Sequence, residues 1–108
     1  MPDAIRHEQD NGKTNEIRVG QKFAIDLKEN PTTGYKWTDP HFDERFLGLE
    51  ASEFKSGKDV GVGGGGIRHF LFVAKVPGET PISLMNKRSW ESPEAAAGTF
   101  TITVRVVK

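Results

Sequence analysis

Apolar and polar residues alternate along most of this chain, in runs too short for helices. Phe23, Ile25 and Leu27 alternate with Lys22, Asp26 and Lys28. The same period of two recurs at Ile17 and Val19, at Tyr35 and Trp37, at Leu47, Leu49 and Ala51, and at Ile82 and Leu84. It returns at the end, where Phe100, Ile102, Val104 and Val106 alternate with Thr101, Thr103 and Arg105. Such alternation predicts half-buried β-strands. Ile67–Val76 differs, because Leu71 and Val73 add apolar cover opposite Phe70, Phe72, Ala74 and Val76. Apolar residues on both faces predict a central strand. Seven strands result, and Ala95–Ala97 is the only helix-favouring run. The spacing predicts an all-β fold, an immunoglobulin-like antiparallel β-sandwich.

Residues 1–13 carry Ile5 as their one large apolar group. They are expected to be a frayed, flexible end, with residues 14–108 as a single domain. If successive strands run antiparallel, the connections after the second, fourth and sixth strands emerge at one end. Those are Lys28–Gly34, Ser56–Gly66 and Ser89–Gly98, the three loops of most unusual composition. Loops held out by a rigid sandwich are a usual place for recognition.

Composition narrows the picture. The chain has 108 residues, enough for one domain with a real core. Twelve glycines and a hydrophobic share of 35% suit a turn-rich β domain. Fifteen basic residues balance fifteen acidic ones, so neither nucleic acid nor an anionic membrane is expected as a partner. There is no cysteine, which excludes disulfides and thiolate chemistry. No apolar run approaches the ~20 residues of a membrane-spanning helix. The stretch Met1–Lys13 lacks the apolar core of a signal peptide, though a trimmed signal would leave the same sequence, so the compartment stays open.

Each loop has a plain reading and a functional one. Asn30-Pro31-Thr32-Thr33-Gly34 is either an ordinary turn using Pro31 and Gly34 for geometry, or a rigid tip bearing two hydroxyls. Gly61, Gly63 and Gly66 satisfy G-x-G-x-x-G, but a strand follows instead of a helix, so nucleotide binding is rejected. The glycine run is then either a linker or a surface that lets another main chain approach closely. Arg88-Ser89-Trp90 opens the third loop. Trp90 either folds back over the sheet edge or serves as an interface anchor, as Trp and Arg often do.

In this order and on these loops, Asn-Pro-Thr-Thr-Gly, a glycine run and Arg-x-Trp resemble the chagasin family, protein inhibitors of papain-like cysteine peptidases. The resemblance runs from about Glu16 to Lys108 and takes in Tyr35-Lys36-Trp37. It implies an immunoglobulin-like monomer that plugs a peptidase cleft with three loops, reversibly, competitively and without being cleaved. Asn30, Pro31, Thr32, Thr33 and Gly34 would form the central loop, with Thr32 and Thr33 nearest the catalytic Cys and His. Gly63, Gly64, Gly65 and Gly66 would contact the non-primed side, and Arg88 and Trp90 the primed side. Two departures stand out: Ser89 replaces a common proline, and the glycine run is longer than the motif needs.

Enzymatic function is not expected. His7, His41 and His69 lie far apart, and no HExxH, GxSxG or phosphate loop occurs. His69 reads as a partly buried structural residue. Neither a cofactor nor a metal is implied. The competing reading is an immunoglobulin-like adhesion or interaction module without inhibitory activity, which would use sheet faces or edges.

Overall fold

The computed structural model describes residues 4–7, 10–30, 33–56, 65–88, 90–92, 94 and 96–108. Among them are strands β1 (Ala4–Arg6), β2 (Thr14–Arg18), β3 (Lys22–Glu29), β4 (Tyr35–Trp37), β5 (Leu47–Ser56), β6 (Gly66–Ala74), β7 (Gly78–Arg88) and β8 (Gly98–Val107). They build two four-stranded sheets, ordered β1-β3-β6-β5 and β2-β8-β7-β4. The alternating residues meet between them. Phe23, Ile25, Leu27, Leu47, Phe70, Phe72, Ile82, Leu84, Phe100, Ile102, Val104 and Val106 are all buried. Phe23 stacks on Phe72 with ring centroids 5.2 Å apart, and Phe42 meets the same ring edge-on at 5.3 Å. Each such side chain contributes ~1.5–3 kcal/mol on leaving water. As its two apolar faces predict, β6 is internal, between β3 and β5.

The all-β sandwich is as expected, but three features differ in detail. First, Ala4–Arg6 forms a strand beside β3, within the stretch expected to fray. Its attachment is through main-chain pairing, and Ile5 stays exposed, so no apolar alternation marks it. Second, the sheets are mixed: β1 pairs parallel with β3 and β2 parallel with β8. The segment between β1 and β2 crosses from one sheet to the other. It is tied there by the Gly12 amide donating to the Thr101 carbonyl and the Thr103 amide donating to Lys13. Third, a bulge at Glu50 shifts the phase of β5. Leu47 and Leu49 pair with Ala74 and Phe72 on the core side, whereas Ala51 pairs with Leu71 on the outer face. Ser52 and Phe54 therefore pair with the core-facing positions Phe70 and Arg68, a parity that an unbroken alternation would give to Ala51, although Ser52 itself stays exposed at this sheet edge.

The four pairings that decide loop placement, β3–β6, β5–β6, β4–β7 and β7–β8, are antiparallel. Glu29 pairs with Gly66 and Gly66 with Ser56, so the first two loops leave one end of their sheet together. Tyr35 pairs with Arg88 and Asn86 with Gly98, which places the third loop beside the start of β4. The short connection from Glu29 to Tyr35 joins the two sheets at that same end.

Candidate functional site: the loop end of the sandwich

The central loop closes on itself. The Thr33 amide and hydroxyl both donate to the Asn30 carbonyl, at 3.3 and 2.8 Å. The hydroxyl oxygen then accepts from the Tyr35 amide at 3.4 Å. Gly34 follows with φ at 81°, a left-handed conformation that side chains disfavour. The Thr33 hydroxyl proton is thus used within the loop, and only acceptor capacity is left over. Pro31 and Thr32 lie outside the described residues.

The third loop is stacked against the first. A Cβ at Gly34 would lie 3.3 Å from Trp90 Cη2 and 3.7 Å from Arg88 Cγ. Arg88 Nε donates to the Thr33 carbonyl at 3.4 Å. Its guanidinium sits 4.5 Å from the Tyr35 ring centroid and 5.9 Å from that of Trp90. Trp90 remains 73% exposed, so it does not fold back over the sheet. The base of this loop is closed by the Ala97 amide donating to Asn86 at 2.7 Å. Lys87 Nζ donates to the Glu91 carbonyl at 2.9 Å. A hydrogen bond from Ser92, with one from its own amide, holds the Glu94 carboxyl below its ordinary range.

The glycine loop reaches the central one by its backbone. A Cβ at Gly65 would lie 3.2 Å from the Glu29 carbonyl oxygen and 3.6 Å from Asn30 Cβ. One at Gly66 would overlap the Lys55 carbonyl and the Phe54 ring. Asn30, Thr33, Gly34, Gly65, Gly66, Arg88 and Trp90 are thus brought together. Gly63 and Gly64 lie outside the described residues, as does Ser89.

Beneath the loops sits a group that the motif reading missed. Glu29 is 4% exposed. Its Oε2 accepts from Arg68 Nη2 at 2.9 Å and Nε at 3.2 Å, and its Oε1 accepts from the Trp37 amide at 2.8 Å. The Trp37 indole donates to the Lys28 carbonyl at 2.9 Å. The signal was present: Glu29 shares inward parity with Phe23, Ile25 and Leu27, and Arg68 with Phe70 and Phe72. Opposite charges at core-facing positions of neighbouring strands point to a buried pair.

The histidines do not converge. His69 Nδ1 lies 2.5 Å from Asp26 Oδ1 on the outer face of its sheet, a structural pairing. His41 bridges to Ser83, and the His7 amide donates to Asp10. Among the described residues no cluster of three or more His, Cys, Asp or Glu could hold a metal ion.

The family model described as "Chagasin family peptidase inhibitor I42" matches residues 16–104. The chain belongs to the chagasin family. Members are peptidase inhibitors rather than enzymes. Chagasin of Trypanosoma cruzi is 30% identical over 100 residues, covering 88% of this chain and 90% of its own. Amoebiasin-1 of Entamoeba histolytica is 32% identical over 99 residues, covering 92% and 95%. The crystal structure of the cysteine protease inhibitor EhICP2 from Entamoeba histolytica superimposes with a TM-score of 0.84 at 26% identity, over 99% of this chain and all of that one. In this chagasin-family chain unusual composition, exposed aromatic surface and close backbone approach coincide at the loop end.

Proposed function

We propose that this protein is a reversible, competitive inhibitor of papain-like cysteine peptidases. It acts through a single sandwich domain, residues 14–108 together with the β1 strand Ala4–Arg6, that inserts three loops into the peptidase cleft. The convergence of the three loops at one end of a rigid sandwich carries this reading, and family membership supports it. A papain-like enzyme acylates when a peptide carbonyl meets its thiolate with an oxyanion hole behind. The central loop, Asn30 to Gly34, fills that cleft in a closed conformation, pinned by Thr33 and turned at Gly34, off the attack trajectory. Gly63 to Gly66 lie against the non-primed side with no side chains in the way. Arg88 and Trp90 anchor the primed side, where an exposed indole gains most from being covered. Restraints within and between loops lower the ordering entropy lost on binding.

The test is titration against papain or cathepsin L with a fluorogenic peptide substrate. The expected result is competitive inhibition at sub-micromolar inhibitor, fully reversed on dilution, with the inhibitor recovered intact. No inhibition at micromolar concentration would refute the reading.

A further inference from the structure

The Glu29–Arg68 pair is placed where it can do more than fill the core. The Glu29 side chain is 1% exposed and that of Arg68 23%. Burying two charges costs solvation that their attraction barely returns, so such a pair adds little net stability. Two apolar side chains would fill the same space, but dispersion is non-directional. The carboxylate has direction. Its two oxygens address different strands, Oε2 the guanidinium of β6 and Oε1 the amide of Trp37 in β4 of the other sheet. Glu29 ends β3 immediately before the central loop, and Trp37 lies just after it. Arg68 lies two residues beyond Gly66, where the glycine loop ends. Arg68 also sits 5.6 Å from the Phe54 ring centroid at the other stem of that loop.

We infer that Glu29 and Arg68 are positioning residues of the inhibitory wedge. Their buried ion pair, shared with the Trp37 amide, fixes the spacing between the stems of the central loop and the exit of the glycine loop. The third loop joins the same body through the Arg88 contact to the Thr33 carbonyl and the packing of Trp90 on Gly34. The loops therefore meet a peptidase preassembled. Without the pair, the central loop samples other conformations, leaves the cleft faster, and at times presents a cleavable carbonyl to the thiolate. This inference rests on the inhibitory reading above.

Glu29→Gln keeps an acceptor for the Trp37 amide but removes the charge facing Arg68, and Arg68→Gln removes the cation. Val106→Ala, at the opposite end of β8, is the control for simple loss of stability. Amide exchange at Thr33 and Trp37 is measured without peptidase, and dissociation from papain and cleavage within residues 30–34 are measured with it. Both pair variants are expected to exchange at those amides about tenfold faster, dissociate about tenfold faster and become slowly cleaved. Val106→Ala should change neither rate at matched thermal stability. Pair variants that exchange and dissociate like the wild type overturn the inference, as does a Val106→Ala that matches them. If Glu29→Gln fails to fold, Arg68→Gln decides alone. A wild type that does not inhibit sinks the inhibitory reading, while the exchange rates still decide whether the pair holds the loop.

Discussion

At the residue scale, Trp90 shows how exposure separates binding from folding. Its ring lies over Gly34 yet stays mostly in solvent, so it contributes little to the core. Trp90→Ala is expected to leave the melting temperature nearly unchanged while weakening peptidase binding by ~2–4 kcal/mol, as loss of an aromatic anchor does; paired thermal melts and inhibition constants check this. Asp43 is the reverse case, remote from the loops and tuned by a neighbour. Hydrogen bonds from the Arg45 side chain lower its carboxyl from 3.8 to about 2. A carboxyl depressed in the folded state stabilises above its unfolded value, and that contribution is lost as the pH falls through about 2. Asp43→Asn should therefore flatten the acid limb of a stability-against-pH curve by slightly lowering stability at neutral pH while matching the wild type below about 2. Because the pair is exposed, the change is small. An acid limb identical to that of the wild type would show that the pair does nothing in solution.

At the scale of elements, the strands were legible and their attachments were not. Period-two alternation marks a face, and β3, β7 and β8 follow it over their inward residues. In β5 the bulge at Glu50 breaks the phase, which no local pattern announces because Leu47-Gly48-Leu49-Glu50-Ala51 reads as regular alternation. The third loop makes a related point. Ser89 stands where the family commonly has proline, and the loss of a fixed φ suggests a looser loop. Lys87 on the Glu91 carbonyl and Arg88 between Tyr35 and Thr33 supply other restraints around it. At the root of the glycine loop, Gly66 leaves no room for a methyl group against the Lys55 carbonyl. Gly66→Ala should cost ~1–3 kcal/mol through overpacking at the β5–β6 pairing, measured by urea denaturation. Unchanged stability would mean that the strands part there at no cost.

Across the whole molecule, scaffold and wedge divide the labour. On the proposed reading, core residues far from the loops set stability, while loop residues set affinity. Leu84, at 1% exposure in the centre of β7, tests the division. Leu84→Ala should lower stability by ~2–5 kcal/mol through the cavity it leaves. Its inhibition constant, measured where the variant stays folded, should match that of the wild type. A parallel loss of affinity would show that core packing is transmitted to the loops. The balanced charge of the chain fits this division, since recognition then depends on shape at the loop end more than on long-range attraction.

The sequence by itself determined the all-β class, most of the inward-facing residues and the three loops at one end. All of these follow from a local period of two together with glycine and proline placement, and the ordered loop motifs identified the family. The tertiary structure decided which strands are neighbours, hence the two parallel edge pairings and the three-residue β1. It also decided the phase of β5, the exposed pose of Trp90 on Gly34, and the internal engagement of Thr33. Above all it showed that Glu29, Arg68 and Trp37 meet. Parity places each of the first two charges on an inward face. Only the register of β3 against β6 and the approach of the second sheet bring their polar atoms within hydrogen-bonding distance, because partner identity across a sandwich is set by residues distant in the chain.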